Sequence, residues 1–141
     1  MTLVVFGLPA PQGSKAFKGM RGGHAIMVES SKKVKPWRKR VEAEAMIAIA
    51  GAKPLDGPLV ARIVFTMPKP KSAPKTRQTW PDRTPDLSKL VRSTEDALVT
   101  ARLIADDARI VEYSRVAKVF PNEDAESLPM PGVRVTITCL P

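Results

Sequence analysis

The chain has 141 residues and a formal net charge of +9, because 23 lysines and arginines outnumber 14 aspartates and glutamates. This length suits one domain with its own hydrophobic core, so we expect a single domain over residues 1–141. Cys139 is the only cysteine, which excludes an internal disulfide and favours a reducing, cytoplasmic setting. No apolar run approaches the roughly 20 residues that span a membrane. The N-terminus also lacks the basic and apolar regions of a secretory signal peptide.

The basic excess predicts a polyanionic partner. Nucleic acid is the first candidate for a small domain of this charge, and an anionic membrane surface is the competing one. Aromatic residues make up only 5% of the chain, which disfavours base stacking on single strands and favours contact with a duplex backbone. The basic residues concentrate in segments 15–40 and 69–83, whereas carboxylates gather at 106–107 and 123–126.

The first half of the chain is predicted to form strands around one helix. Residues 2–8 form a β-branched, apolar run that ends at Pro9, which is typical of a strand. Proline, glycine and serine predict a loop over residues 9–23, and a short strand can follow at 25–29. From Pro36, apolar residues recur at helical spacing until Gly51 ends the helix.

The second half repeats this alternation. Residues 58–66 predict a strand, and the proline-rich residues 68–85 predict a long loop. Asp86 is a good N-cap for a helix that follows, because its carboxylate can accept hydrogen bonds from the first-turn amides. Residues 109–120 and 133–140 predict two further strands. The order predicts an α+β domain with a small mixed β-sheet packed with two main helices.

The spacing of carboxylates around the second helix suggests a site that binds a metal ion. Asp86 opens the helix, and Asp106 and Asp107 follow its end. Spacing does not settle whether they meet, but crowded carboxylates need a cation, and Mg²⁺ suits oxygen ligands that share it with phosphate. The competing interpretations are structural: an N-cap at Asp86, a turn at Asp106–Asp107, and an ion pair between Asp96 and Arg92.

The segment TPDLSKLVRSTEDALVTARLIADDARIVEYSRVAK, residues 84–118, resembles the core of the RusA-type Holliday junction resolvases. Residues 7–15, GLPAPQGSK, also resemble the opening of many family members. The resemblance covers most of the chain and implies a RusA-like endonuclease domain. It further implies a homodimer that uses Mg²⁺ or Mn²⁺ to nick four-way DNA junctions on two opposed strands, in recombination and repair near the nucleoid.

The resemblance also assigns roles by position. Asp86 matches the first family aspartate, and Asp107 matches the late essential one, with Asp106 beside it; all three are the expected catalytic and metal-binding residues. Arg92 matches the basic residue expected near the scissile phosphate, where it can neutralise charge but not donate a proton. Asp96 matches the aspartate of an Asp-Ala-Leu motif.

Ser88 stands where the family has its second aspartate. A hydroxyl is a weaker metal ligand than a carboxylate, so this change predicts weaker Mg²⁺ binding. Three outcomes stay open: Asp106 supplies the missing oxygen, Glu95 reaches in from further along the helix, or activity is low or absent. We favour Asp106.

Basic side chains in several segments are expected to contact DNA phosphates. Trp80 is a candidate for contact with DNA or a partner subunit, with packing inside its own loop as the alternative. The expected DNA-binding residues are Lys15, Lys69, Lys71, Lys75, Arg77, Lys89 and Lys118.

Three rival functions remain. A non-catalytic junction-binding or DNA-binding protein on the same fold is favoured by Ser88. A basic RNA-binding or ribosome-associated protein is disfavoured by the paired aspartates, which would repel RNA phosphates. A nuclease whose substrate range also includes forks or flaps cannot be distinguished from a resolvase by sequence.

Overall fold

The computed structural model describes the backbone of residues 1–13, 15–21, 24–29 and 32–141, and the side chains of residues 1–13 and 32–141. A 3₁₀ turn, Asp107–Arg109, separates the second helix from the strand that follows it. In chain order the other elements are β1 (Thr2–Phe6), β2 (Lys15–Arg21), β3 (His24–Glu29), α1 (Val34–Ile49), β4 (Leu59–Thr66), α2 (Leu87–Thr100), β5 (Ile110–Val119) and β6 (Gly132–Cys139).

The main sheet has four strands in the order β1-β6-β4-β5. β6 pairs antiparallel with both β1 and β4, whereas β4 and β5 are parallel. Parallel neighbours need a crossover connection, and here the proline-rich segment (residues 68–85) and α2 provide it. The prediction of an α+β fold with a mixed sheet and two helices is therefore confirmed.

The hydrophobic core lies between the sheet and the two helices. Alternate residues of β4 and β6 point into it, and α1 packs against both β1 and α2. Trp37 of α1 is almost fully buried, and its indole N–H donates to the hydroxyl of Thr94 on α2 at 3.2 Å. No helix in residues 1–13, 15–21, 24–29 and 32–141 is long and apolar enough to cross a bilayer.

Three predictions differ from the structure by two residues or more. The first strand, predicted over residues 2–8, ends at Phe6. The predicted loop over residues 9–23 contains β2, which forms an antiparallel hairpin with β3. The prediction of a loop over these residues was wrong, because hydrogen bonding between the two neighbouring strands outweighed the loop preference of the proline, glycine and serine residues. Helix α1 begins at Val34 rather than Pro36, since a proline within the first turn loses no intrahelical hydrogen bond.

Carboxylates of the acidic segment 123–126 form ion pairs with the sheet and with the proline-rich segment. Arg115 on β5 donates to both carboxylate oxygens of Asp124, and the Glu126 carboxylate accepts from Arg62 on β4 and from Arg115. The guanidinium of Arg115 lowers the pKa of Asp124 to about 2. Glu123 accepts from the ammonium of Lys69 at 2.5 Å. These carboxylates fasten the β5–β6 connection to the sheet and to the proline-rich segment.

Candidate active site

Asp86 occupies the N-cap position of α2. Its extended backbone precedes the helix, and its carbonyl oxygen accepts from the amides of Lys89 and Leu90 at 3.1 Å. Its carboxylate, however, makes no capping hydrogen bond, in contrast to the sequence expectation. The carboxylate is more than half exposed and lies 3.8 Å from the ammonium of Lys89. An acidic group at the edge of a basic surface is thus presented to solvent.

Lys118 holds the backbone in front of Asp86. Its ammonium, at the end of β5, donates to the carbonyl oxygens of Arg83 and Pro85, both at 2.8 Å. The end of β5 is therefore tied to the last residues of the proline-rich segment. We expected Lys118 to contact DNA; in the structure its ammonium donates two hydrogen bonds within the chain.

Asp106 and Asp107 lie beside the second half of α2, on the turn that precedes β5. Asp106 caps the 3₁₀ turn, because its carboxylate accepts from the amide of Ala108 at 2.9 Å, and this bond lowers its pKa. Hydrogen bonding to Asp106 and repulsion between the two carboxylates raise the pKa of Asp107. Both side chains are exposed. The nearby charge of Arg109 also lowers the pKa of Asp106, but Arg109 forms its ion pair with Asp56. Two carboxylates in contact therefore form a natural position for a further cation.

The buried Glu95 and the exposed Tyr113 form a hydrogen-bonded pair beside these aspartates. The Tyr113 hydroxyl on β5 donates to the carboxylate of Glu95 on α2. Burial raises the pKa of Glu95 despite that bond, and the negative charges of Asp107 and Asp96 raise it further. Sequence reasoning missed Tyr113; the signal was that it is the only tyrosine in the chain.

The structure does not bring Asp86 and Asp107 of one chain together. Asp86 precedes the first residue of α2, whereas the carboxylate of Asp107 acts on those of Glu95 and Asp96. These two residues lie nine and ten positions further along the helix, or about 14 Å at 1.5 Å per residue. Among the residues whose side chains the structure describes, no group of three or more His, Cys, Asp or Glu is placed to hold a metal ion. The carboxylates therefore fall into two sets, one at the start of α2 and one beside its second half.

The exposed face of α2 runs between the two sets. Ser88 and Arg92 lie on it one turn apart, and the half-buried Asp96 follows at the same spacing. The expected ion pair between Arg92 and Asp96 is absent from the described ion pairs. Arg92 therefore offers its charge to solvent.

A groove opens beside Asp86 beneath the proline-rich segment. Its volume is about 1140 Å³, and it is bounded by residues 8–11, the N-terminal turn of α2 and the end of β5. Five basic side chains and two acidic ones line it. The basic lining residues are Lys33, Arg77, Arg83, Lys89 and Lys118.

The remaining predicted DNA contacts differ in their surroundings. Lys71, Lys75 and Arg77 are exposed on the proline-rich segment. Lys69 is mostly buried in its ion pair with Glu123. Lys15 belongs to β2, whose side chains lie outside the described residues.

Comparison with known proteins identifies the family. A family model described as "Endodeoxyribonuclease RusA" matches residues 7–138. No match was found among curated proteins. Because the match spans nearly the whole chain and includes both ends of α2, the chain belongs to the RusA endodeoxyribonuclease family.

Proposed function

We propose that this chain is a metal-dependent, structure-selective endodeoxyribonuclease that nicks four-way DNA junctions on opposed strands as a homodimer, in recombination and repair. The observation that carries the proposal is the family match over residues 7–138. The exposed carboxylates at the start of α2 and beside its second half, together with the basic groove beside Asp86, supply the groups that such a reaction needs.

The pair Asp106–Asp107 fits a hard divalent cation. Mg²⁺ is commonly held by one or two carboxylates and completes its coordination with water and substrate phosphate. The pair is exposed, and the hydrogen bond to Asp106, followed by burial and by the charge of Asp106, raises the pKa of Asp107. When bound, the ion supplies an activated water and neutralises phosphoryl charge. Mn²⁺ would fit the same oxygens.

Asp86 would join this pair only from a second copy of the chain. About 14 Å of helix separates it from Glu95 and Asp96, the residues beside Asp107 of its own chain. A two-fold axis crossing α2 between these positions would place the start of one helix beside Asp107 of the other copy. Each of the two sites would then combine Asp86 of one copy with Asp106 and Asp107 of the other. Two such sites match the two opposed strands of a junction.

The basic residues have two roles in this proposal. Arg92, midway along the exposed face of α2, neutralises charge that develops on the scissile phosphate. Lys71, Lys75, Arg77 and Lys89 are exposed and contact the DNA backbone, so affinity falls steeply with salt. Because phosphate contacts carry no sequence information, junctions are selected by shape.

A second candidate function is junction binding without cleavage. It is favoured by Ser88, whose exposed hydroxyl stands at the position of a family aspartate. A site with one carboxylate fewer carries less negative charge and binds Mg²⁺ more weakly.

Cleavage of a labelled synthetic four-way junction in Mg²⁺ or Mn²⁺ tests both candidates. We expect paired nicks by the wild type and none by Asp86→Asn or Asp107→Asn. Glu44→Gln, which removes an exposed carboxylate on α1, is the matched control and should cleave normally. Tight binding without cleavage, together with cleavage by Ser88→Asp, would refute the nuclease and establish the binding protein.

A further inference from the structure

The groove beneath the proline-rich segment contains an exposed aromatic side chain among cations. Trp80 is 65% exposed, whereas Trp37 is buried in the core. Arg77 lies three residues before Trp80, is exposed, and forms no ion pair within the described part of the chain. Apolar rings and methyl groups form much of the remaining lining, including Met67, Pro68 and Phe120. This combination of an aromatic face and neighbouring cations is typical of surfaces that bind single-stranded nucleic acid.

The proline-rich segment holds this surface in place. Glu123 accepts from the amide of Thr79 at 2.8 Å and from the ammonium of Lys69. At the other end of the segment, Lys118 binds the carbonyl of Arg83. Trp80 lies between these two anchors, so its indole stays exposed without leaving the groove.

A buried polar atom also points to a ligand in the groove. The Thr79 hydroxyl oxygen is buried, lines the groove and has no hydrogen-bond partner among the described side chains. A buried hydroxyl without a partner is costly. A phosphate or base edge lying beside Trp80 could supply that partner.

We propose that this groove binds a short unpaired stretch of a DNA strand, with a base stacked on Trp80 and phosphates bound by Arg77 and Lys89. Its volume of about 1140 Å³ exceeds the roughly 300–1000 Å³ of most small-molecule pockets. The inference rests on the proposed function for its biological substrate, since base pairs open most easily where the strands of a four-way junction exchange partners. Asp86 lines the same groove, so a strand bound there passes the start of α2.

Intrinsic fluorescence of the full chain in EDTA tests this directly, because Trp80 is the exposed tryptophan. The probes are an oligothymidylate, a four-way junction, and a fully paired duplex of equal length. We expect the first two to quench the emission and the duplex to have little effect. The quenching should disappear in Trp80→Phe, which keeps Trp37 as an internal reference.

Anisotropy of the labelled oligothymidylate measures the affinity. Trp80→Ala should weaken binding roughly 5- to 140-fold, the range that base–aromatic stacking gives on alanine substitution. Trp80→Phe should retain most of the affinity. Met130→Ala, which removes another exposed apolar side chain, is the control and should bind as the wild type does.

Two results would overturn the proposal. One is that Trp80→Ala binds the oligothymidylate as tightly as the wild type does, while the wild-type emission is not quenched. The other is a shift of Trp80→Ala from dimer to monomer in light scattering, which would assign Trp80 to a subunit interface. Binding is measured without cleavage, so the two proposals can fail separately. Quenching in a protein that never cleaves DNA would refute the proposed nuclease activity and would still support strand binding in the groove.

Discussion

The separation of Asp86 from Asp107 predicts that inactive variants complement each other. Asp86→Asn and Asp107→Asn are each expected to be inactive alone. When the two chains are unfolded together and refolded, a mixed dimer with shared sites regains one intact site. That site combines the Asp86 of one variant with the Asp107 of the other, while the second site loses both carboxylates.

The expected magnitude follows from the geometry. Mg²⁺ binds oxygens at about 2.0–2.1 Å, so two oxygens on one ion lie no more than about 4 Å apart. About 14 Å of α2 separates Asp86 from Glu95 and Asp96, which lie beside Asp107. We therefore expect sharing between copies for any single ion that both residues bind. Random pairing of equal amounts gives mixed dimers as about half of all dimers. One intact site in each restores about a quarter of the wild-type sites.

The assay is cleavage of a junction labelled on each strand in turn. Restored activity should produce single nicks rather than paired ones. As a control, Asp86→Asn is mixed with the double variant Asp86→Asn/Asp107→Asn, which leaves no intact site in any pairing. If the first mixture is as inactive as this control while the wild type cuts, the two aspartates do not share a site across copies.

Three further predictions concern stability. Trp37→Phe leaves the buried hydroxyl of Thr94 without its partner, which should cost about 1–3 kcal/mol in denaturant unfolding; an unchanged midpoint would contradict this. Gly132→Ala places a Cβ 2.2 Å from a carbonyl oxygen of β1, so we expect a loss of at least about 1–3 kcal/mol and, in hydrogen exchange, weaker protection of the β1 amides. Arg115 lowers the pKa of Asp124 from 3.8 to about 2, so this pair stabilises the fold above about pH 4. That stabilisation is lost as the pH falls towards 2, and Asp124→Asn should flatten the fall in melting temperature there.

The periodic elements were largely predictable from the sequence. β4, β5 and β6 were placed within about one residue of their observed ends, because β-branched, apolar runs bounded by proline or turn residues leave few alternatives. Helix α2 was placed by its apolar spacing and by Asp86 at its start. The sequence analysis did not predict β2, because its residues lack that pattern. The strand is stabilised by its backbone hydrogen bonds to β3.

The sequence by itself determined the basic surface, the mixed α+β fold and the residues that carry the family pattern. Tertiary structure alone decided their distances. Since β4 and β5 are parallel, α2 must run back along the sheet between them, and this places Asp86 at the start of the helix and Asp107 beside its second half. The contact of Tyr113 with Glu95, and the position of Trp80 between two anchored ends of the proline-rich segment, depend on residues far apart in the chain. No local pattern encodes them, because the energy of such contacts arises only when distant segments pack.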